Sequence, residues 1–308
     1  MTSVRKKLLY LAARSFFQFG QMLGINITPI HFHSFYSAVP RIRSLREDLW
    51  PSANRPTALP GIDFNERCQL ELLATFERKF KIEYDAFSRN KTAVPHEYYI
   101  DNHYFEAVDG EILYCFIRHF KPQRIIEIGS GYSTMLASKA ISQNQQEDPT
   151  YTCTLTAIEP YPSLVLKTGF PHLSELVIDE VQNVSLSKFD NLTKNDILFI
   201  DSSHVLTIGN DVQYEYLKLL PRLGNGVIVH IHDIFLPREY PKEWVMKRLR
   251  FWTEQYILQA FLTFNESYEI LWAAEYMHLN HPDLLENAFS SYARNSGGHL
   301  SFWIRKIK

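Results

Sequence analysis

The sequence predicts an open α/β fold: a mostly parallel sheet with helices on both faces, preceded by a helical extension. Three observations predict it. First, Arg124-Ile125-Ile126-Glu127-Ile128 is an apolar run that breaks at Gly129-Ser130-Gly131 and opens into an apolar-periodic segment from Tyr132. A buried strand, a tight turn and a helix form the junction where open α/β sheets bind nucleotide-like cofactors. Second, strand-like and helix-like segments alternate from about residue 106, which argues for parallel strands joined by crossover helices. Third, residues 1 to about 95 lack that alternation.

The extension comes first. Val4 to Leu23 mixes Arg5, Lys6, Lys7 and Arg14 with Leu8, Leu9, Leu11, Phe16, Phe17 and Phe19. Its apolar run is too short for a signal-peptide core, and a membrane-spanning helix needs about 20 mostly apolar residues. It reads as an amphipathic helix that docks on the domain or on another subunit. The sharper alternative is that residues 4–23 lie on a membrane surface. An aromatic loop (His31, Phe32, His33, Phe35, Tyr36) and a Pro-rich linker, Pro51 to Pro60, follow. A second helix is expected from about Asn65 to Phe87, with Leu70, Leu73, Phe76 and Phe80 on its apolar face. Residues 1–95 therefore read as a helical cap or oligomerisation arm, and 96–308 as the core domain.

The core opens with a helix over Glu106–Phe120. Strands are expected at 124–128, 153–158, 175–178, 196–200 and 226–231, and helices at 132–143, 162–168, 207–220 and 242–263. Tyr268–Ala273 and His299–Arg305 give two more strands, separated by a helix around 282–293.

Composition limits the function classes. A chain of 308 residues can bury a full α/β core and carry an extension. Its 45% hydrophobic and 21% charged content suit a globular protein, and a net charge of −2 gives no reason to expect a nucleic-acid partner. Cys68, Cys115 and Cys153 show no paired metal or redox spacing and read as reduced core residues, so a cytoplasmic location is expected.

The glycine turn points to a particular ligand. A dinucleotide fingerprint wants a third Gly or Ala where this chain has Thr134, and it cradles a pyrophosphate. Here there are two glycines with Glu127 beside them, and a carboxylate suits a cationic group better than a phosphate. The segment resembles the first motif of class I S-adenosylmethionine-dependent methyltransferases, whose cofactor carries a sulfonium and an amino group. That resemblance implies a Rossmann-like seven-stranded sheet with an antiparallel last strand, and the strand count agrees with it. Glu159 ends the second strand, where an acid accepts hydrogen bonds from ribose hydroxyls. Gln182 and Asn183 follow the third strand and are candidates for adenine. The cofactor contacts are expected from Glu127, Gly129, Ser130, Gly131, Ser133, Glu159, Asn183 and Asp201.

A second constellation lies at the next two strand ends. Asp196-Ile197-Leu198-Phe199-Ile200-Asp201-Ser202-Ser203-His204 puts an acid and then a His after strand four. Gly226-Val227-Ile228-Val229-His230-Ile231-His232-Asp233 puts two His and an acid on strand five. Neighbouring strands lie about 4.8 Å apart, so these tips converge if the strands pair. Carboxylates with imidazoles suit Mg²⁺, Mn²⁺ or Fe²⁺, and the lack of thiolates argues against structural zinc. His230 alternates with apolar neighbours and reads as a satisfied core histidine. Asp211 falls near a helix start, where a carboxylate favours the dipole, and is left outside the metal shell.

These residues resemble the macrocin O-methyltransferase type and its relatives, methyltransferase family 24, which are metal-dependent sugar-hydroxyl methyltransferases. The resemblance covers residues 100–235. It implies that Asp201, His232 and Asp233 hold Mg²⁺ or Mn²⁺ and that His204 is the general base. The sequence departs from that type in one place: its strand-five pair begins with Glu, and this chain has His232. Substrate contacts are expected from Tyr98–Phe105, Tyr104 in particular, and from the Leu236–Trp244 loop, including Tyr240; His204 would also touch the acceptor. The acceptor is expected to be a small molecule or a glycan, and the protein a homo-oligomer. Two other readings stand beside it. Members of the cephalosporin hydroxylase family look similar around these motifs, which would mean non-haem iron chemistry. The alternative is a non-catalytic, cofactor-binding partner protein.

Overall fold

The computed structural model describes residues 12, 15–20, 22–23, 37–50, 59–294 and 299–308. Most of Val4 to Leu23, the aromatic loop from His31 to Tyr36 and most of the Pro-rich linker lie outside the described residues. Among the described residues, no helix is long and apolar enough to cross a membrane.

The chain divides into two compact units, Met1–Pro51 with Lys242–Phe251, and Ser52–Pro241 with Trp252–Lys308. In the first, Lys242 pairs with Glu47 at 2.6 Å and its ammonium lies over the Trp50 ring. The second holds the sheet. The units do not divide at residue 95: the Glu66–Tyr84 helix belongs with the sheet, and its Leu73, Phe76 and Phe80 enter the same core as Phe116 and Trp303.

Seven strands form one sheet in the order β3-β2-β1-β4-β5-β7-β6. They are β1 (Arg124–Ile128), β2 (Thr154–Ile158), β3 (Leu173–Val177), β4 (Ile197–Ile200), β5 (Ile228–Ile231), β6 (Tyr268–Ala273) and β7 (Phe302–Lys306). β1 to β5 pair in parallel, while β7 runs antiparallel to both β5 and β6. The predicted fold class is the observed one: a Rossmann-like, mostly parallel sheet with a reversed last strand.

Alternation along each strand builds two cores. Ile125, Ile197, Phe199 and Ile228 pack beneath the Asp109–Phe120 and Tyr132–Glu147 helices. Ile126, Ile128, Leu198, Ile200, Val229 and Ile231 pack on the other face, against Tyr216, Leu219 and Leu258. Successive side chains point to opposite faces of a strand, so burial on both faces requires the near-continuous apolar runs seen in the sequence.

Four elements differ most from expectation. Between the last two strands, the one helix expected around 282–293 is two, Ala274–Asn280 and Pro282–Ala288. The helix expected over 242–263 is two helices in different units, Lys242–Met246 and Glu254–Leu262. The one expected over 207–220 begins at Asp211 and widens into a π turn over Glu215–Leu219. The helix expected from Glu106 begins at Asp109, because Val108 holds a left-handed φ of 70° and its N–H is accepted by Glu111 at 2.7 Å.

Candidate active site

The carboxyl ends of β1, β2 and β4 enclose a cavity of about 390 Å³ lined in part by Gly129, Glu159, Val181, Gln182, Asp201 and Ser203. It sits where ligands bind in an open parallel sheet, outside the strand ends and beside the glycine turn. Gly129 has φ +76°, and a Cβ there would fall 1.8 Å from the Asp201 carbonyl oxygen. Only glycine lets the turn after β1 pass the end of β4. Gly131 has open space where a Cβ would stand, so its backbone is bare towards solvent or a ligand.

The expected cofactor residues separate into two groups. Gly129, Glu159 and Asp201 line the cavity. Glu159 accepts from Ser130 N at 3.1 Å and from Tyr161 N at 2.8 Å, which fixes its carboxylate across the turn. Gln182 also lines the cavity, but Asn183 turns its amide onto Asp179 at 2.8 Å and is not part of the wall. Ser133 is buried beneath the turn with its hydroxyl on Glu127. Glu127 is itself only 1% exposed, and its second carboxylate oxygen is buried without a hydrogen-bond partner. Burial pushes the Glu127 carboxyl up to about 8, against the hydrogen bonds from Ser133 and Thr134. An orphaned acceptor at that place has the chemistry to take a cationic group, and the acids around the cavity suit hydroxyls and amines. The site fits S-adenosylmethionine.

The second constellation assembles through sheet register. β4 and β5 pair with Phe199 opposite His230 and Ile200 opposite Ile231, so Asp201 and His232 emerge side by side. Among the described residues, Asp201, His204 and Asp233 bring one ligand atom each to within 4.8 Å of one another. His204 Nε2 lies 3.3 Å from Asp201 Oδ1 and 3.3 Å from Asp233 Oδ2. The expected metal trio contained His232 in place of His204. The structure instead puts His204 between the carboxylates, and His232 Nδ1 stands back at 3.7 Å from each. His204 and Asp233 both hold left-handed backbone, φ 61° and 57°. Non-glycine residues in that region concentrate at functional sites.

Each imidazole is backed by a carboxylate from elsewhere in the chain. Glu254 meets His204 Nδ1 at 2.8 Å, and Asp109 lies 3.6 Å from His232 Nε2. Burial alone would lower His204, but its hydrogen bonds to Asp201 and Glu254 and the charge of Asp233 carry it well above the usual histidine range. His232 behaves likewise: burial is outweighed by the charges of Asp201 and Asp233. Burial drives Glu215 well above the carboxylate range, with the charges of Glu254 and Asp211 adding to it. Its Oε2 accepts from Ser202 Oγ at 3.0 Å.

Glu254, Asp109 and Glu215 were not anticipated. Thr253-Glu254 does carry a helix-start pattern, an acid in the first turn after a threonine, but a helix drawn straight through 242–263 hides it. Asp109 could be read only as a helix-start acid, and nothing local to it indicates His232.

The other expectations meet mixed geometry. His230 is buried and stacks on Phe199 at 3.9 Å. It is not a satisfied core histidine, since neither ring nitrogen has a hydrogen-bond partner, and burial pushes it well below its usual value. Tyr104 is 77% exposed and stacks on Tyr132, the first residue of the helix after the glycine turn, so it is open to an acceptor. Tyr240 is 2% exposed, and its hydroxyl accepts from Gln255 N at 3.0 Å. It braces the loop after β5 from within and presents no surface to a substrate.

Comparison with known proteins adds the family. Residues 126–234 match the profile of a family described as "Methyltransferase domain". A protein of Archaeoglobus fulgidus, described only as uncharacterized, is 33% identical over 173 residues, which is 53% of this chain and 73% of that one. Among solved structures, an O-methyltransferase from Bacillus cereus in complex with SAH is similar at 12% identity and a TM-score of 0.36, over 77% of this chain and 91% of that chain. The matched segment runs from β1 through the glycine turn to the residue after Asp233, and so spans both constellations. Residues 126–234 form an S-adenosylmethionine-dependent methyltransferase domain.

Proposed function

We propose that this protein methylates a hydroxyl oxygen of a small-molecule or glycan acceptor, with Mg²⁺ or Mn²⁺ held by Asp201, His204 and Asp233. The observation that carries the reading is the convergence of two carboxylates on one imidazole nitrogen. Two carboxylates converging on that nitrogen call for a positive centre among them, which the ring's own proton supplies in the free protein and a cation would supply in its place. The donor set, two oxygens and one nitrogen, suits a divalent cation of that kind.

When bound, the cofactor supplies an electrophilic methyl group and the cation supplies charge that stabilises an alkoxide. The protein's part is positioning and proton handling. Glu159 would hold the ribose, and Glu127 the amino group. His232 Nδ1 faces the same carboxylates and would be free to take the hydroxyl proton where a cation compensates those carboxylates in place of the ring's own proton. Tyr104 and Tyr132 offer stacked faces to the acceptor. A second reading is favoured by the His204–Glu254 hydrogen bond: without a cation, an imidazole backed by a buried acid is built as a general base.

Calorimetric titration of S-adenosylhomocysteine, in chelator and again with Mg²⁺ or Mn²⁺, tests the reading. Micromolar binding is expected, weakened about tenfold or more by Glu159→Ala as a lost charge-assisted hydrogen bond requires. Methyl transfer to hydroxylated acceptors should then need the ion and disappear in Asp201→Asn. Full activity in chelator would return His204 to the role of base. Absence of binding in every condition would overturn the reading and direct attention to iron and oxygen chemistry.

A further inference from the structure

We infer that Glu254 is a positioning residue for the site: it locks His204 as the Nδ1–H tautomer and so decides that Nε2 is the atom offered to a cation or a proton. The inference deepens the proposed function and rests on its assignment of His204 to the site. It holds whether His204 serves as ligand or as base.

The lock is built at three levels. The side chains meet directly, with His204 Nδ1 and Glu254 Oε2 2.8 Å apart and Glu254 only 1% exposed. A carboxylate can only accept there, so Nδ1 carries a proton. Nε2, which faces Asp201 and Asp233 at 3.3 Å each, is the nitrogen that would give up its proton to a cation placed among those carboxylates. The main chains are also joined. His204 holds φ 61°, and its carbonyl accepts from Thr253 N at 2.9 Å and Glu254 N at 3.1 Å. Leu206 N adds a bond to Thr253 Oγ1 at 2.7 Å, so the loop after β4 is fastened to the first turn of the Glu254–Leu262 helix. Finally, Glu254 is fixed in turn, because its Oε1 accepts from Tyr216 Oη at 3.2 Å. The ring itself rests against Trp252, with centroids 4.4 Å apart.

This bracing exceeds what loop anchoring requires. Two main-chain bonds already secure the loop, and a neutral side chain at 254 would leave them in place. What the buried carboxylate adds is a defined proton position on the ring. Partners of this kind orient metal-bound histidines and raise their basicity. A histidine paired with an acid in a triad uses the same device.

The test reads the tautomer itself. Protein labelled with ¹⁵N-histidine is compared by NMR with and without Zn²⁺, a diamagnetic probe, and Mn²⁺ affinity is measured separately. The variants are Glu254→Met, which fills the space without a strong acceptor, and Glu254→Gln, whose amide oxygen can still accept from Nδ1. With Zn²⁺ bound, the wild-type protein is expected to carry the His204 proton on Nδ1. Glu254→Met should release it to Nε2 in the metal-free protein and weaken Mn²⁺ about 10–100-fold. Glu254→Gln should restore the tautomer and most of the affinity, which a merely structural role would not distinguish. A Met variant that folds with the Nδ1 proton and Mn²⁺ affinity unchanged would overturn the inference. Should that variant not fold, a wild-type spectrum with the proton on Nε2 would overturn it equally. Failure to bind either ion, with the proton still on Nδ1 at a pH where the ring holds one proton, would uphold the lock and dismiss only the cation.

Discussion

Glu127 shows how one side chain can carry a cost that only a ligand explains. It lies on β1 facing the Tyr132–Glu147 helix, where an apolar residue would pack without penalty. Instead a carboxyl is buried with one oxygen on Ser133 and the other unpartnered. With its carboxyl near 8 in the folded chain against an ordinary value of 4.5, the native state holds the proton that the unfolded state releases. A raised folded value means the contribution is fully present below about pH 4.5 and is lost as pH rises through about 8. Within that window the slope is up to roughly 1.4 kcal/mol per pH unit. Glu127→Gln removes the proton release, so urea unfolding free energies should fall more steeply for wild type than for the variant between pH 6 and 8. Parallel profiles would show that the group does not titrate in this range. In the proposed function, the same carboxyl meets a cationic amino group, which would favour its ionised form.

At the scale of elements, the sheet edge and the site are each completed by helices distant in sequence. β6 is an edge strand, and the Glu66–Tyr84 helix meets it with side chains. Gln69 accepts from Ala273 N at 2.8 Å and donates to Phe64 O at 2.6 Å, while Asn65 Nδ2 donates to Ile270 O at 3.0 Å. This is why Gln69, rather than Leu70, takes the buried position on that helix. Truncating it leaves a buried N–H without an acceptor, so Gln69→Ala should cost about 1–3 kcal/mol in chemical denaturation. A loss within experimental scatter would mean that water or a neighbouring group replaces the amide. The Glu254–Leu262 helix does the corresponding work at the site, since its first turn backs His204 and its body closes the core beneath Ile231.

At the scale of the whole sheet-bearing unit, Asp109 joins the start of the core to its end. It accepts from Leu300 N at 3.0 Å and Ser301 N at 2.9 Å, which enter β7, and faces His232 beyond β5. The reversed last strand is thereby tied to the same carboxylate that backs a site imidazole. Asp109→Asn turns one acceptor into a donor facing N–H groups, so about 1–3 kcal/mol of stability should be lost. Hydrogen exchange should localise the effect, with Leu300 and Ser301 amides losing protection before those of β1 and β4. Uniform protection across the sheet would show that β7 is held by its strand pairing alone.

Patterns that depend on near neighbours were legible in the chain. The apolar runs, their breaks and the glycines fixed seven strands, the turn after β1 and the acids at strand tips, because periodicity and backbone freedom are local properties. The convergence of the two acid- and His-bearing tips depended on β4 and β5 pairing, and their pairing in register set Asp201 beside His232. Tertiary structure decided the rest. It placed His204, not His232, between the two carboxylates, turned Ser133 and Asn183 away from the cavity, and buried Tyr240. It also brought in Glu254 and Asp109, fifty and more residues from the histidines they back. Side-chain direction at a strand end depends on the left-handed turns at His204 and Asp233, and those are held by helices joined through loops. No spacing along the chain encodes such a contact, so the sequence determined which chemistry could gather at the strand tips and folding determined which atoms face one another.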